Sequence, residues 1–141
     1  MFDNEKSLVD SFIDSLETIP SPWGELKLGS EFFYQRGRTD LVAVSNNGKV
    51  IAFEAKLKKW RIALQQAYRN RCFADFSYVL LPTYSANLAY KNLDEFILRG
   101  VGICCVSEDG FEILHEALLT EPIQPWLREQ AFMYASSGGV Y

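Results

Sequence analysis

Asp40, Glu54 and Lys56 are the residues of this 141-residue chain whose types and spacing could do chemistry. The apolar runs TDLVAVS (39–45) and KVIAFEAK (49–56) flank Asn46, Asn47 and Gly48, the composition of a hairpin turn. Asp40 and Glu54 lie equally far from Asn47, so a hairpin centred there makes them cross-strand neighbours. Directly opposed residues have Cβ atoms about 4.5–5.5 Å apart, where like charges repel unless a cation offsets them. Glu54 and Lys56 are two apart on one strand and share a face, which sets an ammonium beside the carboxylates. Leu41, Val42, Ala43, Val44, Ile51, Ala52 and Phe53 are apolar on both faces and mark a buried strand pair, so charges at its end are costly. Carboxylate oxygens suit magnesium or manganese, and a nearby lysine can stabilise a developing phosphate oxyanion or orient a water. The plain structural alternative is an ion pair at a strand end, Lys56 with Glu54 or Asp40.

Several elements must position these residues. Residues 2–19 place Leu8, Val9, Phe12, Ile13 and Leu16 at helical spacing until Pro20 and Pro22 stop the helix. Residues 23–34 suggest a strand with a bend at Gly29. After the hairpin, residues 58–75 predict a helix with Trp60, Ala63, Leu64, Ala67 and Arg71 on one stripe, crossing the sheet before the strand FSYVLLP. Strand, helix, strand implies a parallel pair. A polar loop follows Pro82, then a helix over 92–100 closed by Gly100, a buried strand VGICCVS, a short strand FEIL, and a last helix around WLREQAFMY before a loose tail.

Composition bounds the rest. With 48% hydrophobic and 23% charged residues, the chain has the makeup of one compact domain, not of a disordered or collagen-like one. Cys72, Cys104 and Cys105 lack metal-ligand spacing, and neither a leader nor a long apolar run appears, so the expectation is a cytoplasmic protein with no membrane partner. The net charge of −4 conceals an asymmetry: residues 34–71 hold nine bases and two acids, while both flanking segments are acidic. A polyanion responds to that local field. The bland alternative is a set of solvated surface lysines and arginines.

The stretch RTDLVAV, a short turn, VIAFEAK and a helix with QQAY resembles the core of the PD-(D/E)xK nuclease superfamily, which includes many restriction endonucleases and archaeal Holliday-junction resolvases. The likeness covers roughly residues 1–82. It implies an α/β, three-layer restriction-endonuclease-like domain with a mixed central sheet flanked by helices over 1–120, with a C-terminal helix and tail over 121–141. It also implies a Mg²⁺-dependent endonuclease, Mn²⁺ substituting, that hydrolyses phosphodiester bonds of nucleic acid, expected to be DNA. Asp40, Glu54 and the Ala55 carbonyl would hold the metal, and Lys56 would be the catalytic lysine. The acid expected on the first helix maps to Glu5, which continues the Leu8, Phe12 and Leu16 stripe; Glu17 competes, with Glu25 and Glu31 as further candidates. An exposed acid in a first helical turn, favoured by the macrodipole, is the alternative for Glu5. The glutamine expected on the following helix maps to Gln66 better than to Gln65.

Thr39 stands where the superfamily's name has proline, which leaves the aspartate's chemistry intact. No added target-recognition domain is evident, which favours a structure-selective or nonspecific enzyme. Arg36, Arg38, Lys58, Lys59, Arg61, Arg69 and Arg71 flank the candidate site and could contact phosphates, which position nucleic acid without reading sequence. Trp60 reads as core, His115 lies away from the motif, and Cys104 and Cys105 read as buried thiols. Two cuts in a duplex would need two sites, hence a homodimer or larger complex. The alternative function is a noncatalytic nucleic-acid-binding or protein-interaction subunit.

Overall fold

The computed structural model describes residues 2–140. Helix α1 (Glu5–Thr18) starts at a reciprocal cap, in which Asn4 Oδ1 accepts the Ser7 amide at 2.8 Å and the Asn4 amide donates back to Ser7 Oγ at 3.4 Å. These bonds satisfy amides that no helical carbonyl can reach. Leu8, Val9 and Phe12 form its buried stripe, and Ile19 turns extended ahead of Pro20.

Six strands follow in one sheet whose spatial order is the chain order: β1 (Leu26–Tyr34), β2 (Gly37–Ser45), β3 (Val50–Ala55), β4 (Phe76–Pro82), β5 (Gly102–Ser107) and β6 (Gly110–His115). The first three form an antiparallel meander, β3, β4 and β5 are parallel, and β6 returns antiparallel. The expected hairpin is β2–β3, with Gly48 at a φ of 78° in its turn, a conformation that glycine adopts without strain. Helices α2 (Trp60–Asn70), α3 (Thr83–Tyr90), α4 (Leu93–Arg99) and α5 (Pro125–Ser136) complete the fold.

Strand alternation sorts the side chains into layers. Leu41, Ala43, Ile51, Phe53, Tyr78 and Leu80 face α1, where Phe12, Trp23 and Phe53 stack edge to face or tilted. Val42, Val44, Val50 and Ala52 face α5, and Val79, Leu81 and Ile103 face α2, α3 and α4. The protein is therefore an α/β three-layer domain with a mixed sheet, as expected. Helix α5 belongs to that core, since Leu127, Ala131 and Ala135 are buried against the sheet.

Four local expectations need correction. The polar segment after Pro82 is helix α3, whose Ser85, Ala86 and Ala89 are buried, because small residues let it lie close to the sheet. Gly29 makes no bend; β1 runs through it, and a Cβ there would come within 2.7 Å of the Tyr134 ring, so the glycine serves the close approach of α5. On α2 the buried stripe ends at Asn70 and not at Arg71, which lies at the C-cap and donates to the Arg99 carbonyl and to Thr120 Oγ1. The end of α5 is also tied down: the Gly138 and Gly139 amides donate to the carbonyls of Ala135 and Tyr134.

Candidate functional site

The β2–β3 ladder ends on the pair Leu41 and Phe53, so Asp40 and Glu54 occupy the next rung, as the hairpin arithmetic requires. Glu54 and Asp40 point to the α2 side of the sheet, and beyond the end of β3 they meet Lys56 in a polar pocket of about 220 Å³. Glu5, Arg38, Ala55, Gln66 and Arg69 complete its lining. Two helices thus contribute from opposite sides of the sheet: the capped start of α1 brings Glu5, and α2 brings Gln66 and Arg69. Gln66 and not Gln65 faces the pocket, one helical turn before Asn70. The segment after β3 is pinned, because the Lys56 amide donates to the Leu80 carbonyl at 3.3 Å and Ser85 Oγ donates to the Leu57 carbonyl.

Glu54 is 1% exposed. Its Oε2 accepts the Asn70 side-chain amide at 2.7 Å and lies 3.6 Å from the Arg69 guanidinium. Burial pushes its carboxyl up to about 8, and the charge of Asp40 adds to the rise; the Asn70 hydrogen bond and Arg69 oppose it. Asp40 is half-buried, with Oδ2 accepting the Ala55 amide at 2.9 Å and Oδ1 accepting Arg38 Nη2 at 2.9 Å.

Asn70 escaped the sequence reading. Its Oδ1 accepts from Tyr34 Oη at 2.8 Å and from Thr39 Oγ1 at 2.9 Å, so two hydroxyls orient the amide and aim its NH2 at Glu54. Thr39 is wholly buried, and its hydroxyl supplies a donor that a proline lacks. The available signal was the helical spacing: Trp60, Ala63 and Ala67 extend to Asn70. Burial raises the Tyr34 hydroxyl above its ordinary range, which keeps it a donor.

The remaining basic residues divide. Arg69 is structural, its two terminal nitrogens donating to the carbonyls of Arg36 and Arg38 at 3.2 and 2.9 Å. Arg61 pairs with Glu95 at 3.0 Å and lies over the Trp60 ring. Arg36, Lys58 and Lys59 are exposed, and Lys58 lines a separate groove with Leu57, Thr83 and Tyr84. Of the competing acids, Glu31 reaches Arg38, while Glu17 and Glu25 line a different cavity beside α1. Trp60 and Cys104 are buried and Cys105 half-buried.

Among the described residues, no three His, Cys, Asp or Glu side chains cluster closely enough to hold a metal ion by themselves. A cation between Asp40 and Glu54 would draw its other ligands from the Ala55 carbonyl, water or substrate. That all-oxygen set suits a hard divalent ion, whose charge would favour the ionised form of Glu54 that burial and Asp40 disfavour. No helix is long and apolar enough to cross a membrane among the described residues.

No family model matches the chain, and no curated protein matches it. Among solved structures, it is similar to a protein of unknown function from Silicibacter pomeroyi, with a TM-score of 0.67 at 14% identity over 96% of this chain and 86% of that one. SfsA of Pyrococcus furiosus, solved in complex with Ca²⁺, matches at a TM-score of 0.37 and 11% identity over 83% of this chain and 62% of that one. The first likeness supports the three-layer fold.

Proposed function

We propose that the protein is a metal-dependent nuclease of the PD-(D/E)xK type, hydrolysing phosphodiester bonds of DNA in the cytoplasm. The observation that carries this is Glu54, an acid buried beside a second acid and a lysine, on the face of a pocket open to solvent. Asp40, Glu54 and the Ala55 carbonyl would hold Mg²⁺ or Mn²⁺. When bound, such an ion polarises a phosphoryl oxygen and lowers the pKa of water. Lys56 orients the attacking water or neutralises the oxyanion, Gln66 and Glu5 border the approach, and Asn70 aims the Glu54 carboxyl and favours its ionised form against burial. The exposed Arg36, Lys58 and Lys59 would meet flanking phosphates, and a homodimer would supply the second site for a duplex cut.

The test is cleavage of labelled single-stranded, duplex, branched and RNA substrates by wild type and Lys56→Ala with Mg²⁺, Mn²⁺ or EDTA. Metal-dependent cutting that falls at least about 100-fold in the variant is expected. A fully active Lys56→Ala protein, or no cutting of any substrate, would overturn the proposal. A second reading, a noncatalytic nucleic-acid-binding subunit, draws on the arginines that already pair both carboxylates; binding with a steep salt slope and no cleavage would favour it.

A further inference from the structure

Arg38 occupies a place that hydrolysis by Asp40, Glu54 and Lys56 does not itself demand. Its Nη2 donates to Asp40 Oδ1 at 2.9 Å and its Nη1 to Glu31 Oε1 at 3.1 Å. With the Ala55 amide on Oδ2, both oxygens of Asp40 are engaged. Arg69 cannot leave its carboxylate so easily, being 21% exposed and anchored on two backbone carbonyls, whereas Arg38 is 48% exposed and bound only through side chains. Glu31, the far end of the bridge, has a φ of 57°, the only positive value outside glycine among the described residues. A side chain there carries backbone strain, which persists where the surroundings demand it. That strained residue contributes the second carboxylate of the Arg38 bridge.

A guanidinium and a divalent cation against the same Asp40 oxygen repel each other. A phosphodiester, in contrast, accepts the guanidinium fork in place of the carboxylates. We propose that Arg38 is a switch between two acceptors. Without nucleic acid it clamps Asp40 against Glu31 and opposes metal binding; when a polyanion enters, it moves to a backbone phosphate and releases Asp40 to the metal. This rests on the nuclease function proposed above and adds an order of events: the cation is held tightly only once nucleic acid is in place. Linkage makes the effect reciprocal, so metal and nucleic acid raise each other's affinity by one factor.

The test is Mn²⁺ binding followed by the EPR signal of the free ion, with and without a phosphorothioate oligonucleotide, for wild type, Arg38→Gln and Arg38→Lys. For wild type the oligonucleotide should tighten Mn²⁺ binding about 5-fold or more. Arg38→Gln should bind Mn²⁺ more tightly than wild type when no oligonucleotide is present, and should lose most of the coupling. Arg38→Lys keeps the charge but cannot bridge Asp40 and Glu31 with one fork, so its Mn²⁺ affinity should fall between the two. Wild-type behaviour of Arg38→Lys would reduce the effect to charge alone and overturn the switch, as would unchanged or weaker Mn²⁺ binding by Arg38→Gln, or coupling that survives in it. If wild type binds no Mn²⁺ with or without oligonucleotide, the metal-dependent function itself fails. If wild type binds Mn²⁺ and cuts while the Arg38 variants match it in affinity and coupling, the switch alone fails.

Discussion

Two buried acids, one at the end of β3 and one just before β4, meet opposite environments. Asp75, just before β4, is 5% exposed and well matched: Arg128 of α5 donates to it through Nη2 at 2.8 Å and Nε at 3.1 Å, and the Val50 amide adds a bond at 2.7 Å. Arg128 also donates to the Gly48 carbonyl, so this one pair fastens α5, the β2–β3 turn and the start of β4 together. Glu54, at the far end of β3, has a single amide donor within hydrogen-bond distance, an arginine held back at 3.6 Å, and a second acid beside it. A buried carboxylate with a forked cationic partner is a fastening. One left short of positive charge is costly to bury, and under the proposed function it is where a cation would bind.

The largest test of this contrast is Arg128→Met. Removing one partner of the buried pair should cost about 3–5 kcal/mol, read as a shift in urea midpoint at constant slope. A near-wild-type midpoint would mean that Asp75 is solvated and that the contrast with Glu54 is false.

Glu54 should behave in the opposite sense. Its folded pKa is raised, so the native state holds the proton more tightly than the unfolded chain, and stability is lost as pH climbs from the ordinary carboxylate range through about 8. In EDTA, Glu54→Gln should therefore be more stable than wild type at pH 9 by on the order of 3 kcal/mol, with the gap closing toward pH 5. Thermal melts across that pH range measure it, and Mn²⁺ should narrow the gap by stabilising the ionised wild type. A Glu54→Gln protein less stable than wild type at pH 9 in EDTA would mean the carboxylate is already compensated.

The smallest effect belongs to the orienting hydroxyl. Thr39→Val removes one of the two donors on Asn70 Oδ1 and should cost about 1 kcal/mol, while loosening Mn²⁺ binding because the amide facing Glu54 is no longer doubly fixed. A variant that melts lower but binds Mn²⁺ like wild type would confine Thr39 to packing.

The hairpin and its acids were legible because they depend on neighbours in sequence. A two-residue period and one Asn-Asn-Gly turn settle which side chains oppose each other, so Asp40, Glu54 and Lys56 could be placed together by counting. The identity of Glu54's donor could not be counted. Asn70 is sixteen residues further on, and whether it or Arg71 faces the sheet depends on where α2 ends and how it crosses the strands. The bend expected at Gly29 was misplaced for a related reason: its need for a glycine comes from Tyr134, more than a hundred residues away. Helix α3 was obscured by its polar exterior, since only Ser85, Ala86 and Ala89 turn inward.

Local patterning alone thus determined the strand and helix order around the hairpin, the apolar stripe of α1 and the two facing carboxylates. Those features follow from backbone period and short-range sterics. The tertiary structure decided which charges are satisfied. Asp75 meets Arg128 and Glu54 meets Asn70 only after the helices have packed, and it is the packed helices, by excluding water and positioning distant donors, that determine whether a buried acid is matched by a cation or left short of one.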